Sequence, residues 1–349
     1  MTAGPSMTNQ AIDAQAVMHH QYLLGLQLMV ATTKGPDIVG DWMFRLFRRQ
    51  HEEKFLSSFE KLGLADLPHA VASARYHVLS NSMGGVAVEY MEESDTKAWV
   101  RFRFPRWMYA GATICGVPVE ASRGFLRGWY AQNGVSLGNP RLGFVCVSED
   151  MTGEFGLCGY FREYDHNLAE DERLQFARDE TPPPFDPDQQ PKPPDQDWSS
   201  ERLAKANRNY AMEYIRNGSK ALVEVIGRDE TRALGGKAAR LIGLQTFQRL
   251  AAMVGARDGT AADAASFLAT MFEGMGDTCT VKIDPDGSGA TVHQSGLRIL
   301  RGLDDDHSED LLACWIELWR GTLNSHRIRK TCTVERNADA LLWTIRDTS

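Results

Sequence analysis

The sequence predicts an α+β protein built from two tandem repeats, each with helices over a four-stranded antiparallel sheet, packed together as a pseudo-dimer. Three observations predict this fold: a proline-rich run between two halves, residue matches between the halves at a constant offset, and the same order of helix and strand patterns in each half. A chain of 349 residues with 43% hydrophobic residues is long enough for two cores.

The proline-rich run occupies residues 181–198 and contains no aliphatic residue. Such a run is typical of an extended, semi-rigid connector, because proline cannot donate to a backbone ladder. We therefore predict a first repeat at residues 1–175, a linker at 176–200 and a second repeat at 201–349.

The two halves match each other at an offset of 192 residues. Residues 18–100 are identical to residues 210–292 at 13 of 83 positions without a gap, where unrelated sequence would give roughly five. The matches include Gly35 with Gly227 and Gly63 with Gly255. Glycines at such element boundaries are set by backbone geometry, so we interpret the matches as an internal duplication.

In the first half, three helices are predicted before two hairpins separated by a fourth helix. Pro36 suits the first turn of the second helix, and apolar residues recur along one face of it. The first hairpin alternates apolar and polar residues, as a half-buried strand pair does. The predicted elements are helices at 15–33, 36–63, 68–82 and 119–133, and hairpins at 86–104 and at 141–149 with 154–163.

The second half repeats this order. Its first hairpin contains the turn Asp-Pro-Asp-Gly, and its last helix has Ser308 or Asp306 as the predicted cap. The predicted elements are helices at 202–226, 230–255, 261–274 and 308–323, and hairpins at 278–294 and at 328–336 with 340–346.

Composition excludes several classes of partner. The net charge of −8 argues against non-specific nucleic-acid binding and gives no basic patch for an anionic membrane. No run approaches 18 apolar residues, and no secretory signal pattern is present. The six cysteines form no C-x-x-C pair, which is typical of reduced thiols. We expect a cytoplasmic protein whose partner is a small molecule, with no nucleic acid and no membrane; self-association into a homo-oligomer is left open.

Motifs for cofactors and metals are missing. The sequence has no dinucleotide-binding glycine pattern, no P-loop and no G-x-S-x-G, which disfavours nucleotide cofactors and a hydrolase triad of that type. Histidine spacings typical of zinc sites are absent, although ligands from distant residues remain an alternative. We predict no cofactor and no metal.

Three segments carry a resemblance to a known family: 222–255 (LVEVIGRDETRALGGKAARLIGLQTFQRLAAMVG), 112–120 (ATICGVPVE) and 153–165 (GEFGLCGYFREYD). The chain resembles the L-2-amino-thiazoline-4-carboxylic acid hydrolase-like family, which is related in outline to the vinyl-4-reductase-type ligand-binding domain. The resemblance implies that Cys115 and Cys158 stand at the family's cysteine positions. It also implies hydrolytic opening of a small sulfur- or nitrogen-containing ring, or binding of a small organic ligand. The second half departs from the pattern, because it lacks both cysteines.

Two residues are candidates for catalysis. Cys115 lies in a loop just before a helix N-terminus, where the helix dipole favours a nucleophilic thiolate; the alternative is a small buried hydrophobic residue. His77 is the candidate general base, and Ala269 replaces it in the second half. The alternative for His77 is a hydrogen-bonded structural histidine.

Arginines and aromatic residues are the candidates for substrate binding. Arg101 and Arg103 share one face of a strand and can hold a carboxylate together with Arg106, unless acidic neighbours pair with them. Because these groups concentrate in the first half, we expect that half to be active and the second to be a scaffold. The remaining candidate binding residues are Trp107, Tyr109, Glu120, Cys158 and Tyr160.

Two functions fit these residues. The first is a cofactor-independent hydrolase or lyase that opens a small carboxylated heterocycle or amide at a C–N or C–S bond. In it, Cys115 is the nucleophile, His77 the base and the arginines the carboxylate clamp. The alternative is a non-catalytic small-molecule-binding or sensor protein with its pocket between the helical layer and the sheet.

Overall fold

A computed structural model describes residues 7–104, 110–152, 155–192 and 200–348. The protein is α+β, with two sheets in which antiparallel pairing dominates. It divides into two compact units. The central unit is Val30–Leu203, and the terminal unit combines the residues up to Met29 with Ala204–Ser349.

The first half of the chain contains five helices and five strands within its described residues. The first three helices precede a hairpin, as predicted, and the closing hairpin follows a fourth helix. The elements are α1 Met7–Lys34, α2 Pro36–Lys61, α3 His69–Met83, β1 Val88–Ser94, β2 Lys97–Phe102, α4 Val119–Gly128, α5 Asn133–Ser136, β3 Leu142–Ser148, β4 Cys158–Glu163 and β5 Leu174–Phe176.

The second half has the same order of helices and hairpins, without a counterpart of α5 or β5 in its described part. Its last helix is capped by Asp304, whose side chain accepts a hydrogen bond from the backbone N–H of His307. The predicted caps Ser308 and Asp306 are therefore wrong, by four and two residues. The elements are α6 Ser200–Ile226, α7 Arg228–Val254, α8 Ala261–Met275, β6 Thr278–Ile283, β7 Gly289–Ser295, α9 Asp305–Leu323, β8 Lys330–Asn337 and β9 Ala340–Asp347.

The N-terminal helix belongs to the terminal unit up to Met29, which differs from the predicted first repeat at residues 1–175. Two buried polar groups of α1 account for this. The His19 Nε2 atom accepts a hydrogen bond from the Trp315 indole at 3.1 Å, and the Tyr22 hydroxyl donates to the Gly235 carbonyl at 3.1 Å. Buried polar groups need such partners, so they fix where the helix packs.

The two sheets differ in strand number. The terminal unit has four antiparallel strands in the order β6-β7-β9-β8, as predicted. The central unit has five, in the order β1-β2-β4-β3-β5, so the prediction of four is corrected there. The fifth strand, β5, pairs in parallel with β3. Its three residues are too few to give an alternating pattern in sequence, and the predicted linker boundary at 176 cuts through it.

Close helix packing in both units depends on glycine. In the central unit, a Cβ atom on Gly124 of α4 would lie 2.4 Å from the Gly40 carbonyl oxygen of α2. In the terminal unit, a Cβ on Gly243 of α7 would lie 2.0 Å from the Leu318 carbonyl oxygen of α9. Each helix pair therefore crosses with its backbones in contact.

The space between the helices and the sheet of the central unit is filled by aromatic side chains. Tyr130 packs on Phe144 with ring centroids 4.6 Å apart, and on Phe161 at 5.5 Å. All three are almost completely buried. Among the described residues, no helix combines the length and apolar character needed to cross a bilayer.

Candidate functional site

Four described candidates for substrate binding lie on or beside the outer face of the central sheet, the face away from α3: Arg101, Arg103, Cys158 and Tyr160. Glu120 lies instead on α4, which packs on α2. One end of this sheet collects several of them. We call it the loop end, and it comprises Arg101–Phe104, Gly111–Val117, Glu149–Thr152 and Phe155–Leu157. The segment Gly111–Cys115 contacts Asp150–Thr152 there, and Arg101 of β2 lies opposite Cys158 of β4.

Arg101 and Arg103 share a single carboxylate. Glu89 stands directly across from Arg101 on β1. Its Oε2 atom lies 3.6 Å from Arg101 Nη1, and its Oε1 atom lies 3.3 Å from Arg103 Nη1. Acidic neighbours were the predicted alternative for these arginines, and one neighbour is present. Two guanidinium charges against one carboxylate leave a surplus of one positive charge within this group.

Phe155 supports the Arg101 guanidinium. The Arg101 Cζ atom lies 3.5 Å from the centre of the Phe155 ring, and Arg101 Nε donates to the Phe155 carbonyl at 3.2 Å. The Phe155 backbone N–H is in turn bonded to Ser148 Oγ at 3.0 Å. A guanidinium stacked on an aromatic ring is held in a fixed plane, and the N–H donors that bind a carboxylate lie in that plane. Phe155 itself is 41% exposed.

A second pair of arginines, missed from the sequence, encloses Glu149. This carboxylate is fully buried. Arg123 Nε lies 2.9 Å from its Oε1 atom, and Arg178 contacts Oε2. The hydrogen bond that Arg123 donates to Glu149 is the largest cause that raises the pKa of Arg123. Sequence gave no signal for this clamp, because Arg178 lies in the segment that we predicted to be linker.

Cys115 is exposed at the end of a short 3-10 helix, Gly111–Cys115. It therefore does not occupy the buried position that was its alternative. The helix α4 begins four residues later, at Val119, and Glu120 lies in its first turn, partly buried.

His77 lies in the aromatic core rather than at the surface. Its ring stacks on Tyr130 at 3.9 Å and on Phe161 at 5.3 Å. Its Nε2 atom lies 3.1 Å from Asn133 Nδ2. Burial, followed by the charge of His51, lowers the pKa of His77 well below its ordinary value. The structure does not bring His77 to the exposed Cys115, and this placement favours the alternative of a structural histidine.

Cys158 and Tyr160 lie on the outer face of the sheet with Trp99. Burial raises the pKa of the Cys158 thiol to about 12. The Tyr160 hydroxyl donates to Glu180 Oε1 at 2.7 Å, and Lys97 Nζ lies 4.2 Å from the centre of the Tyr160 ring. Both side chains are covered, so neither is open to solvent.

Three candidates, Arg106, Trp107 and Tyr109, lie outside the described residues. Within the described part of the chain, no group of three or more histidine, cysteine, aspartate or glutamate side chains is arranged to hold a metal ion.

Two open cavities in the central unit contain none of the predicted site residues. One, of about 640 Å³, lies beside β1 and is lined by Arg75, Glu92, Glu93 and residues 188–192. The other, of about 620 Å³, is lined by residues 65–69 and 138–141 with Glu163. We place the candidate site at the loop end instead, because the charge surplus and the aromatic stack are found there.

Comparisons with known proteins do not identify a family for this chain. No family model matches the chain, and no curated protein matches it. Among solved structures, the chain is similar to a trafficking protein particle complex subunit 3 from Naegleria fowleri covalently bound to palmitic acid, at a TM-score of 0.34 and 13% sequence identity. The match covers 42% of this chain and 97% of that chain. A similarity of this size supports no statement about the function of this chain, so the function rests on the site itself.

Proposed function

We propose that the protein binds a small carboxylated organic molecule at the loop end, with Arg101 and Arg103 holding the carboxylate. The observation that carries this proposal is the sharing of Glu89 by both guanidinium groups. Among the described residues, the partly buried carboxylate of Glu89 faces two guanidinium groups, so one of their two positive charges has no paired carboxylate. A ligand carboxylate supplies the missing charge through two parallel hydrogen bonds.

The stacked ring of Phe155 fixes the position of Arg101, the less exposed of the two arginines. Arg101 is fixed by the ring, by the Phe155 carbonyl and by Glu89. A guanidinium that is already ordered loses little side-chain entropy when the ligand arrives. Charged hydrogen bonds of this kind contribute about 1.5–3 kcal/mol each.

Replacing Arg101 by glutamine tests this function. We expect binding of L-2-amino-thiazoline-4-carboxylic acid, measured by titration calorimetry, to weaken at least tenfold in Arg101→Gln, because one charged hydrogen bond is lost. Arg162→Gln is the matched control, since Arg162 is also a strand arginine of this sheet stacked on an aromatic ring, Tyr164. The affinity of Arg162→Gln for the same acid is expected to stay within twofold of the wild-type value. Equal affinity of the wild type and Arg101→Gln contradicts the proposal.

Hydrolysis of the bound molecule is a second candidate function, favoured by the exposure of Cys115 at the same loop end. In this case the Cys115 sulfur adds to a ring carbon, a ring C–S or C–N bond breaks to open the ring, and water then hydrolyses the bond to Cys115. A group other than the enclosed His77 accepts the thiol proton. We expect Cys115→Ala to abolish turnover of the ring acid while its dissociation constant stays unchanged. The reaction is followed by chromatography of the ring acid. Unchanged turnover excludes Cys115 as nucleophile and leaves binding alone.

We also propose that the two halves are diverged copies of one unit. Matching backbone conformations support this. Gly35 has φ 93° and ψ 168° before α2, and Gly227 has φ 83° and ψ 165° before α7. These positive φ angles favour glycine in both places. In this proposal the first copy keeps the binding site, and the arrangement of the copies as a pseudo-dimer stays a prediction.

A further inference from the structure

Beside the arginine pair, the outer face of the central sheet is apolar. A row of four side chains lies in register across the strands, from Met91 through Trp99 and Tyr160 to Val145. With Val147 and Cys158 they form one buried cluster, which we call the outer apolar face. Arg101 lies two residues from Trp99 on the same face of β2, which places their Cα atoms roughly 7 Å apart.

The segment that covers this face is poorly suited to it. Residues 177–192, which we call the strap, follow β5, and Ala177 packs against the outer apolar face. From Arg178 to Lys192 the sequence contains one hydrophobic residue, Phe185, and this side chain is 47% exposed. An apolar surface with aromatic groups is thus covered by a polar, proline-rich segment.

Polar contacts hold the strap in place. Glu180 accepts a hydrogen bond from the Tyr160 hydroxyl at 2.7 Å and pairs with Lys97 Nζ at 3.2 Å. Further along, the Gln190 side-chain amide bonds both the N–H and the carbonyl of Tyr90, at 2.9 Å each. Because β1 is an edge strand, this amide takes the place of a neighbouring strand. The Glu180 and Gln190 contacts are individually weak and reversible. The start of the strap is held more firmly, because Arg178 pairs with the buried Glu149.

We propose that the strap is a lid over a second part of the ligand site, latched by Glu180, and that the ligand is a carboxylate with an aromatic or aliphatic tail. The carboxylate binds Arg101 and Arg103. The tail packs on Trp99 and Tyr160 beside Ala177, which stays bonded to the Cys146 carbonyl at 3.0 Å, while the strap beyond Arg178 moves away. This inference rests on the proposed function and adds the chemical class of the ligand. The separation of Arg101 from Trp99 matches the length of a molecule such as phenylacetate.

Thiol labelling tests the latch without any ligand. Cys158 belongs to the outer apolar face and is fully buried. We expect Glu180→Ala to raise its labelling rate by a maleimide at least tenfold, measured by mass spectrometry of the Cys158 peptide. Asp179→Ala is the matched control, because it removes the same charge from the neighbouring, exposed position; its rate is expected to stay within twofold. Cys146, also buried, reports general unfolding. Equal labelling rates of Cys158 in the wild type and in both variants would contradict the proposal that Glu180 holds the strap closed.

Ligand titration tests the tail. In Glu180→Ala we expect phenylacetate to bind at least tenfold more tightly than acetate and to slow the labelling of Cys158. Equal affinities for the two acids would contradict a binding site for the tail. They would not contradict carboxylate binding by Arg101 and Arg103. If Arg101→Gln changes the affinity for neither acid, in the wild type or in Glu180→Ala, both the tail site and the proposed function are wrong. The labelling result then still decides whether the strap is latched.

Discussion

Lowering the pH from 7 to 4.5 is expected to unfold the protein, because four buried histidines and the half-buried His20 are held in their neutral form. Burial lowers the pKa of His19 to about 4 and that of His326 to about 4. Burial, followed by the charge of Arg48, lowers the pKa of His51 to about 3. His20, by burial and then the charge of His19, has a pKa of about 3, and the pKa of His77 is also lowered.

The direction follows from proton uptake. Between about pH 6.5, where an unfolded histidine titrates, and the lowered folded values, the unfolded chain binds more protons than the folded chain. The stabilisation is therefore complete above about pH 6.5 and is lost as the pH falls toward 4. Each such histidine loses about 1.4 kcal/mol per pH unit in this window. Two of them at pH 4.5 already remove about 5 kcal/mol, a large part of a typical folding free energy.

His326 provides the sharpest variant for this effect. Neither ring nitrogen has a hydrogen-bond partner among the residues that the structure describes, and the ring packs on Phe247 with centroids 4.4 Å apart. We expect His326→Phe to keep this packing and to make the melting temperature less dependent on pH between 6.5 and 4.5, measured by calorimetry. His293→Phe is the control, since His293 is exposed in the same unit. An unchanged pH dependence in His326→Phe contradicts the role of burial.

Substituting Gly243 by alanine is expected to destabilise the terminal unit by about 3 kcal/mol or more, because overpacked backbones must move apart. The added Cβ would lie 2.0 Å from the Leu318 carbonyl oxygen and 3.0 Å from the Gly321 Cα atom. Neither atom belongs to a flexible side chain, so the contact is relieved only by shifting α7 from α9. Urea unfolding followed by circular dichroism measures the loss.

Gly236 is the matched control in the same helix. A Cβ there would meet its nearest atom, the Glu317 Cγ, at 3.7 Å, which is ordinary contact. Alanine is a better helix former than glycine, so Gly236→Ala is expected to stabilise by about 0.5–1 kcal/mol. The two variants thus differ in sign within one helix. Similar changes in both would mean that α7 and α9 do not pack at this separation.

The sequence predicted the α+β class because its helices and hairpins carry strong periodic patterns. Long helices with an apolar stripe, such as α2, and alternating strands, such as β9, are specified by local residue order. The fifth strand and the grouping of α1 with the terminal unit could not be predicted. Both depend on partners far along the chain, such as His19 with Trp315.

The candidate site was predictable only in part. Spacing alone places Arg101 and Arg103 on one strand face, and the structure brings them together on Glu89. Residue spacing does not show how deeply a side chain is buried. The sequence therefore made His77 a candidate base, although Tyr130 and Phe161 enclose its ring in the fold. The Arg178 clamp on Glu149 escaped notice because a proline-rich neighbourhood carries no signal for packing.

NMR of the arginine Nε–Hε groups tests the proposed carboxylate site most directly. The resonances are followed in the deuterated protein during titration with phenylacetate. Single arginine variants assign the signals. We predict that the resonances of Arg101 and Arg103 shift and saturate with one common dissociation constant, while that of Arg162 stays in place. Saturating shifts confined to other arginines, or no saturating shift, would contradict the claim that Arg101 and Arg103, which share Glu89, bind the carboxylate of the ligand.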